Sequence, residues 1–185
     1  MTMKKYLVLY YSNSGNSKFI AEKLSNELSS DLRRIHPLID NVLLLFLLSS
    51  LRISIPTNIS KQDILKYDEI ILLGPIWGGL IVSPLNTVLA LCIESSKLIH
   101  FAVTCESGDE KKNSKYGYSQ VLEKACELGG KYVNCTEAFS TSLVTSGGNI
   151  TNPKPLEKVK ITEKNYKGRI MSRVQNFAKK IKASA

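Results

Sequence analysis

The chain has 185 residues, of which 43% are hydrophobic, and a formal net charge of +9; that length suits one α/β domain with room for a real core. Cys92, Cys105, Cys126 and Cys135 form no Cys-x-x-Cys pair and no metal-type spacing with His36 or His100, which argues against a metal site and fits free thiols in a reducing cytosol. The charge is uneven: Lys154 to Ala185 hold ten Lys/Arg and two Glu, and the rest of the chain is close to neutral.

Met1-Thr2-Met3-Lys4-Lys5 leads directly into Tyr6-Leu7-Val8-Leu9-Tyr10-Tyr11, with no small-residue cleavage site after it, so a cytoplasmic protein is expected. The apolar, β-rich run predicts a buried parallel strand over 5–11. Phe19, Ile20, Leu24 and Leu28 then recur at helical spacing, predicting a helix over about 16–29. Between them lies Ser12-Asn13-Ser14-Gly15-Asn16-Ser17, a hydroxyl-rich loop without an acidic residue. A loop from a strand end to a helix start aims unpaired N–H groups and the positive end of the helix dipole at one spot, so it reads as a phosphate site. Ser12, Ser14 and Ser17 offer further donors, and Gly15 allows close backbone approach. The competing reading is a turn plus an N-cap, with Ser14 or Asn16 capping the helix. Neither Gly-Lys-Ser/Thr nor Gly-x-Gly-x-x-Gly is present, which argues against nucleoside triphosphates and Rossmann-type NAD binding.

Residues 31–36 suggest a short second strand before Pro37. The apolar insert at 38–56 is broken by Asp40, Asn41, Ser49, Ser50, Arg52 and Ser54, too often for a membrane span of about 20 apolar residues. It is expected to be a buried helix, or one lying over a cofactor or partner. Residues 67–74 predict a third strand, and Pro84 sits near the first turn of a helix bearing Leu85, Val88, Leu89 and Cys92. A strand over 98–104, a helix over 118–128 stopped by Gly129-Gly130, and a strand over 132–141 follow. Residues 143–165 read as a long loop. The last helix, about 166–183, spaces Ile170, Val174, Phe177 and Ile181 with basic residues between, giving a basic outer face. That face is either solvated or a dock for a protein partner's acidic surface. Nucleic acid is not expected, because the basic residues lack interleaved aromatics and no reading helix appears.

Alternating strands and helices imply an α/β fold: a doubly wound, three-layer sandwich in which a five-stranded parallel sheet of order 2-1-3-4-5 carries helices on both faces. Ligands of such sheets bind beyond the carboxyl ends of the strands, where the order reverses, here between strands one and three. Gly74-Pro75-Ile76-Trp77-Gly78-Gly79 follows strand three and faces the same crevice as the anion loop. Trp77, the only tryptophan, either plugs the sheet end or, with the phosphate loop, serves a ligand with a phosphate tail and a flat aromatic head.

These residues resemble the flavodoxin family. Ser12-Asn13-Ser14-Gly15-Asn16-Ser17 fits the family's Ser/Thr-x-Ser/Thr-Gly-x-Ser/Thr phosphate loop, and Pro75-Ile76-Trp77-Gly78 is similar to its second, flavin-flanking loop. Thr104-Cys105-Glu106-Ser107-Gly108-Asp109 is similar to its third. The resemblance implies a flavodoxin-like fold holding FMN: residues 12–17 on the phosphate, Trp77 against the isoalloxazine, and the backbone of 104–109 at the pyrimidine edge. Tyr116 or Tyr118 would be a second stacking ring, or simply helix-start packing. A peptide beside Gly78 can turn toward the flavin N5 with little steric penalty, which would favour the reduced state. The family's members are typically acidic, whereas this chain is basic, and its insert at 38–56 replaces a short connection.

The leading functional expectation is an electron carrier with bound FMN and a redox partner protein. The alternative is an NAD(P)H-dependent flavin or quinone oxidoreductase using a small quinone and nicotinamide, with Lys111, Lys112 and Lys115 as candidates for a 2′-phosphate. A third is a binding module that has lost FMN. No Ser-His-Asp or Cys-His arrangement is present, and His36 and His100 read as structural.

Overall fold

A computed structural model describes residues 4–145 and 159–184. In chain order the elements are β1 (Tyr6–Tyr10), α1 (Asn16–Leu28), β2 (Asp31–Arg34), α2 (Val42–Ser50), α3 (Lys61–Leu65), β3 (Glu69–Trp77), β4 (Leu80–Ile81), α4 (Ser83–Glu94), β5 (Leu98–Cys105), α5 (Tyr118–Gly129), β6 (Val133–Ser140), α6 (Ser142–Thr145) and α7 (Arg169–Ala183). The sheet order is β2-β1-β3-β5-β6. These five strands are all parallel, so counted among themselves they run 2-1-3-4-5. The expected sheet lacked only β4, a two-residue strand that pairs antiparallel with the end of β3.

The alternating side chains of the apolar strands split into two cores, one on each face of the sheet. Leu7, Leu9, Ile70, Leu72, Ile99 and Phe101 pack with Leu85, Val88 and Leu89 of α4 and Val121 of α5. Val8, Tyr10, Ile71, Leu73 and Phe139 point the other way, onto Ile20 and Leu24 of α1 and Val174, Phe177 and Ile181 of α7. The helix after β1 and the helix after β3 thus go to opposite faces. Their connecting loops part at the carboxyl edge, and that parting opens a crevice.

Three expectations need correction. The insert does form a helix, but α2 is not buried: only Leu45 and Ser49 are, while Leu43 remains 78% exposed. The loop expected over 143–165 begins inside α6, and its part from 146 to 158 lies outside the described residues. The basic face of the last helix is partly consumed internally. Arg173 and Arg169 bind Asp109, and Lys182 donates to the Glu27 carbonyl.

Candidate functional site

The first wall of the crevice is built by the loop between β1 and α1. Gly15 is the N-cap of α1 with φ +97°, a backbone state that favours glycine, and a Cβ there would meet nothing within 4 Å. Neither Ser14 nor Asn16 caps the helix by its side chain, and the first turn holds no acid. The first-turn N–H groups are therefore left without a side-chain acceptor beside open space, which is what an anion cradle requires. Asn13, Ser14 and Asn16 line the crevice.

Ser12 and Ser17 do not. Both are buried: the Ser12 hydroxyl accepts the Gly15 N–H (3.2 Å), and Ser17 Oγ shares a hydrogen bond with Thr104 Oγ1 (2.7 Å). They brace the loop instead of reaching into the crevice, and the Ser17–Thr104 bond ties the first loop to the third. Arg34 donates to the Ser12 carbonyl (3.3 Å), adding a cation behind the loop. Gly15 lines an adjoining hollow with Lys18 and Phe19.

Pro75, Ile76, Trp77 and Gly78 form the second wall. Trp77 belongs to β3 rather than to a loop. It pairs with Leu80 across a tight turn, and its ring meets Tyr11 edge-on at 5.9 Å and 75°. That contact orients the indole, and Gly78 turns the chain at φ +58°. A Cβ at Gly78 would lie 3.3 Å from the Phe46 ring of α2, so the insert reaches the lip of the crevice.

The third wall comes from the end of β5: Thr104, Cys105, Glu106 and Ser107. The Cys105 carbonyl accepts the Thr141 N–H (2.9 Å), which fixes this segment to the strand beside it. Burial pushes the Cys105 thiol up to about 12, which favours its neutral form. Gly108 and Asp109 turn away from the crevice. Asp109 accepts two hydrogen bonds from Arg173 (2.9 and 2.7 Å) and one from Tyr118 (2.6 Å). The Arg173 guanidinium, and then the Tyr118 hydroxyl, hold its carboxyl well below the usual carboxylate range. Tyr118 is thereby engaged, whereas Tyr116 is 60% exposed at the crevice mouth, with Lys115 Nζ 5.5 Å from its ring.

Sequence reasoning missed a fourth wall, Val159 and Lys160. The Asn16 side chain places it: Nδ2 donates to the Val159 carbonyl (3.3 Å) and Oδ1 accepts the Ile161 N–H (2.9 Å). Ile161 is buried, so the segment is anchored and Lys160 stands beside the anion cradle. The alternating Val159-Lys160-Ile161 was the available signal. The whole crevice holds about 380 Å³, within the few hundred to a thousand Å³ of small-molecule sites. Its cradle suits a phosphate and its Trp77 side suits a flat ring. Among the described residues no cluster of His, Cys, Asp and Glu could hold a metal ion.

Sheet order defines a doubly wound α/β protein, and its crevice lies at the topological switch point, where sheets of this kind bind their ligands. More particularly, the fold is flavodoxin-like. The chain superimposes on a flavoprotein in complex with FMN from Lactobacillus acidophilus NCFM at a TM-score of 0.58 and 21% identity, over 77% of this chain and 97% of that one. It matches a flavodoxin, WrbA-like protein from Agrobacterium tumefaciens at 0.55 and 13%, over 98% of both chains. A Fusobacterium nucleatum flavodoxin bound to flavin mononucleotide gives 0.52 and 13%, over 98% and 99%. At these identities the likeness establishes the fold. No sequence-family model matches the chain, and no curated protein sequence does.

Proposed function

We propose that the crevice binds FMN and that the chain is a flavodoxin-like electron-transfer protein. One observation carries this reading: the uncapped start of α1 and the Trp77 ring are walls of the same crevice. In it, Asn13, Ser14 and the first-turn N–H groups hold the phosphate, with Lys160 as countercharge. Trp77 lies against one side of the ring system, Tyr116 covers the outer side, and the backbone of 104–107 meets the polar ring edge. Thr104 acts by holding Ser17, and Asn16 by holding the Val159–Ile161 segment. Ser12, Gly15 and Ser17 shape the loop, while Gly108 and Asp109 play no part in binding. Bound FMN would supply one- and two-electron redox chemistry, while the protein orients it and tunes it. The solved neighbours named above with FMN support the cofactor. A cytoplasmic location follows from the free thiols on this reading.

The test is the absorbance spectrum of the purified protein with phosphate analysis of released flavin. A flavin spectrum with one phosphate per flavin supports the proposal, and a colourless protein that does not take up FMN refutes it. A second reading, an NAD(P)H-dependent quinone or flavin oxidoreductase, is favoured by the apolar lip that Phe46 adds beside Gly78. NADPH oxidation with menadione at about 1–1000 per second would select the enzyme, and its absence the carrier.

A further inference from the structure

The helix α2 is at odds with its surroundings. Eight large apolar side chains between Leu38 and Ile53 are exposed, from 39% for Leu44 to 78% for Leu38 and Leu43. No charged residue occurs from Val42 to Leu51. The helix is nevertheless held firmly in place. Leu45 is buried, and Ser49 Oγ accepts the Ser83 N–H (2.8 Å) while donating to the Leu45 carbonyl (2.6 Å). A helix seated on its own core normally turns a polar face outward; one that is apolar all round is covered on both sides. A free surface of this kind exceeds what monomers usually leave open.

We propose that a second copy of this chain covers α2, forming a two-fold dimer. Leu43 and Leu47 form an exposed ridge on α2, and a groove of about 650 Å³ runs between the end of α2, α4 and α5, with Leu80, Leu89, Ile93 and Leu128 as its apolar lining and Arg52, Glu94 and Lys124 as its charged lining. Under a two-fold axis the same patch of each copy faces the other, so one apolar surface is covered on both partners at once. Eight such side chains expose on the order of 800 Å², the share each partner gives to a stable interface. The chemistry separates this occupant from the others. A helix lying in a lipid surface carries Lys or Arg on a polar face, and α2 has neither. Transient redox encounters are small, whereas permanent contacts between copies are apolar like a core cut in half. The interface would run up to Phe46 and so to the lip of the crevice. It does not depend on which ligand the crevice holds.

Sedimentation velocity of the full chain over a concentration series tests this. The wild type is expected to be a dimer with a dissociation constant below about 10 μM. Leu43→Glu with Leu47→Glu, both on the exposed ridge, should raise that constant at least about 100-fold with an unchanged far-UV circular dichroism spectrum. Leu38→Glu, outside the helix at one end of the patch, gives an independent second reading in the same direction. A monomeric wild type overturns the proposal, and co-sedimentation of that monomer with phosphatidylglycerol vesicles assigns the face to lipid instead. A dimer that survives both variants overturns it as well.

Discussion

Ser14→Asp puts a carboxylate into a loop that has no acid of its own. Ser14 is exposed and lines both the crevice and the adjoining hollow next to Lys160, so the new charge would sit in the anion cradle with water on one side. Two unit charges at contact distance repel by about 1 kcal/mol in water and about 4 at an effective dielectric of 20. A phosphate monoester carries nearly two charges at neutral pH. With an exposed site nearer the water limit, the penalty on FMN is about 2 kcal/mol, or close to 30-fold in affinity. Riboflavin has the same ring and no phosphate, so its affinity should change by less than about twofold. Titration of both ligands against wild type and variant isolates the phosphate contribution as a difference of differences. Raising salt from 0.01 to 1 M should shrink that difference, as the screening length falls from about 30 to about 3 Å. Equal losses for FMN and riboflavin, or none for either, would refute the placing of the phosphate at this loop.

Four further outcomes follow from the geometry. Trp77→Ala removes a ring contact and part of the apolar wall, so FMN and riboflavin should weaken by the same factor, about 1–3 kcal/mol, in the same titration. Gly78→Ala forces a side chain into φ +58° with its Cβ 3.3 Å from Phe46; stability should fall by about 1 kcal/mol and the flavin midpoint potential should become more negative in spectroelectrochemistry. Asp109→Asn breaks the charge-assisted tie to Arg173 and should cost about 1–2 kcal/mol in urea unfolding at neutral pH. Because that carboxyl is held below its ordinary 3.8, its contribution is present above 3.8 and lost as pH falls further, so the variant's acid limb should be flatter. His100 is fully buried with Nε2 2.7 Å from Glu69 Oε2, and among the described residues Nδ1 has no partner. Burial disfavours the charged imidazolium and holds its pKa below 6.5, against the opposing pull of the Glu69 carboxylate. The unfolded chain therefore takes up a proton that the native one refuses, and stability should decline as pH falls below 6.5, by at most about 1.4 kcal/mol per pH unit, with His100→Gln removing that slope.

The strands were legible because they are continuous apolar runs, the signature of a parallel sheet covered on both faces. Legibility ended where distant segments decide. Asp109 reads as a crevice residue from its loop, but Arg173, 64 positions on, claims it and turns it away. Asn16 reads as a ligand of the anion, yet its side chain holds Val159 and Ile161, about 145 positions later, and through them Lys160. Ser12 and Ser17 carry hydroxyls suited to an anion, but the loop spends both on its own bracing. The insert, being apolar, was expected either buried or lying over a cofactor or partner, and only the first of these is corrected by its exposure. Among the described residues, Leu45 and Ser49 of α2 are buried and Leu48 packs partly against the core, while Leu43 and Leu47 stay exposed.

The most direct measurement is a titration of the purified chain with FMN, followed through the emission of its single tryptophan. With Trp77 as a wall of the crevice, emission should quench to an end point at one FMN per chain, and riboflavin should bind more weakly. Unquenched emission at saturating FMN, or quenching without a defined stoichiometry, would contradict a shared crevice for the phosphate and the ring.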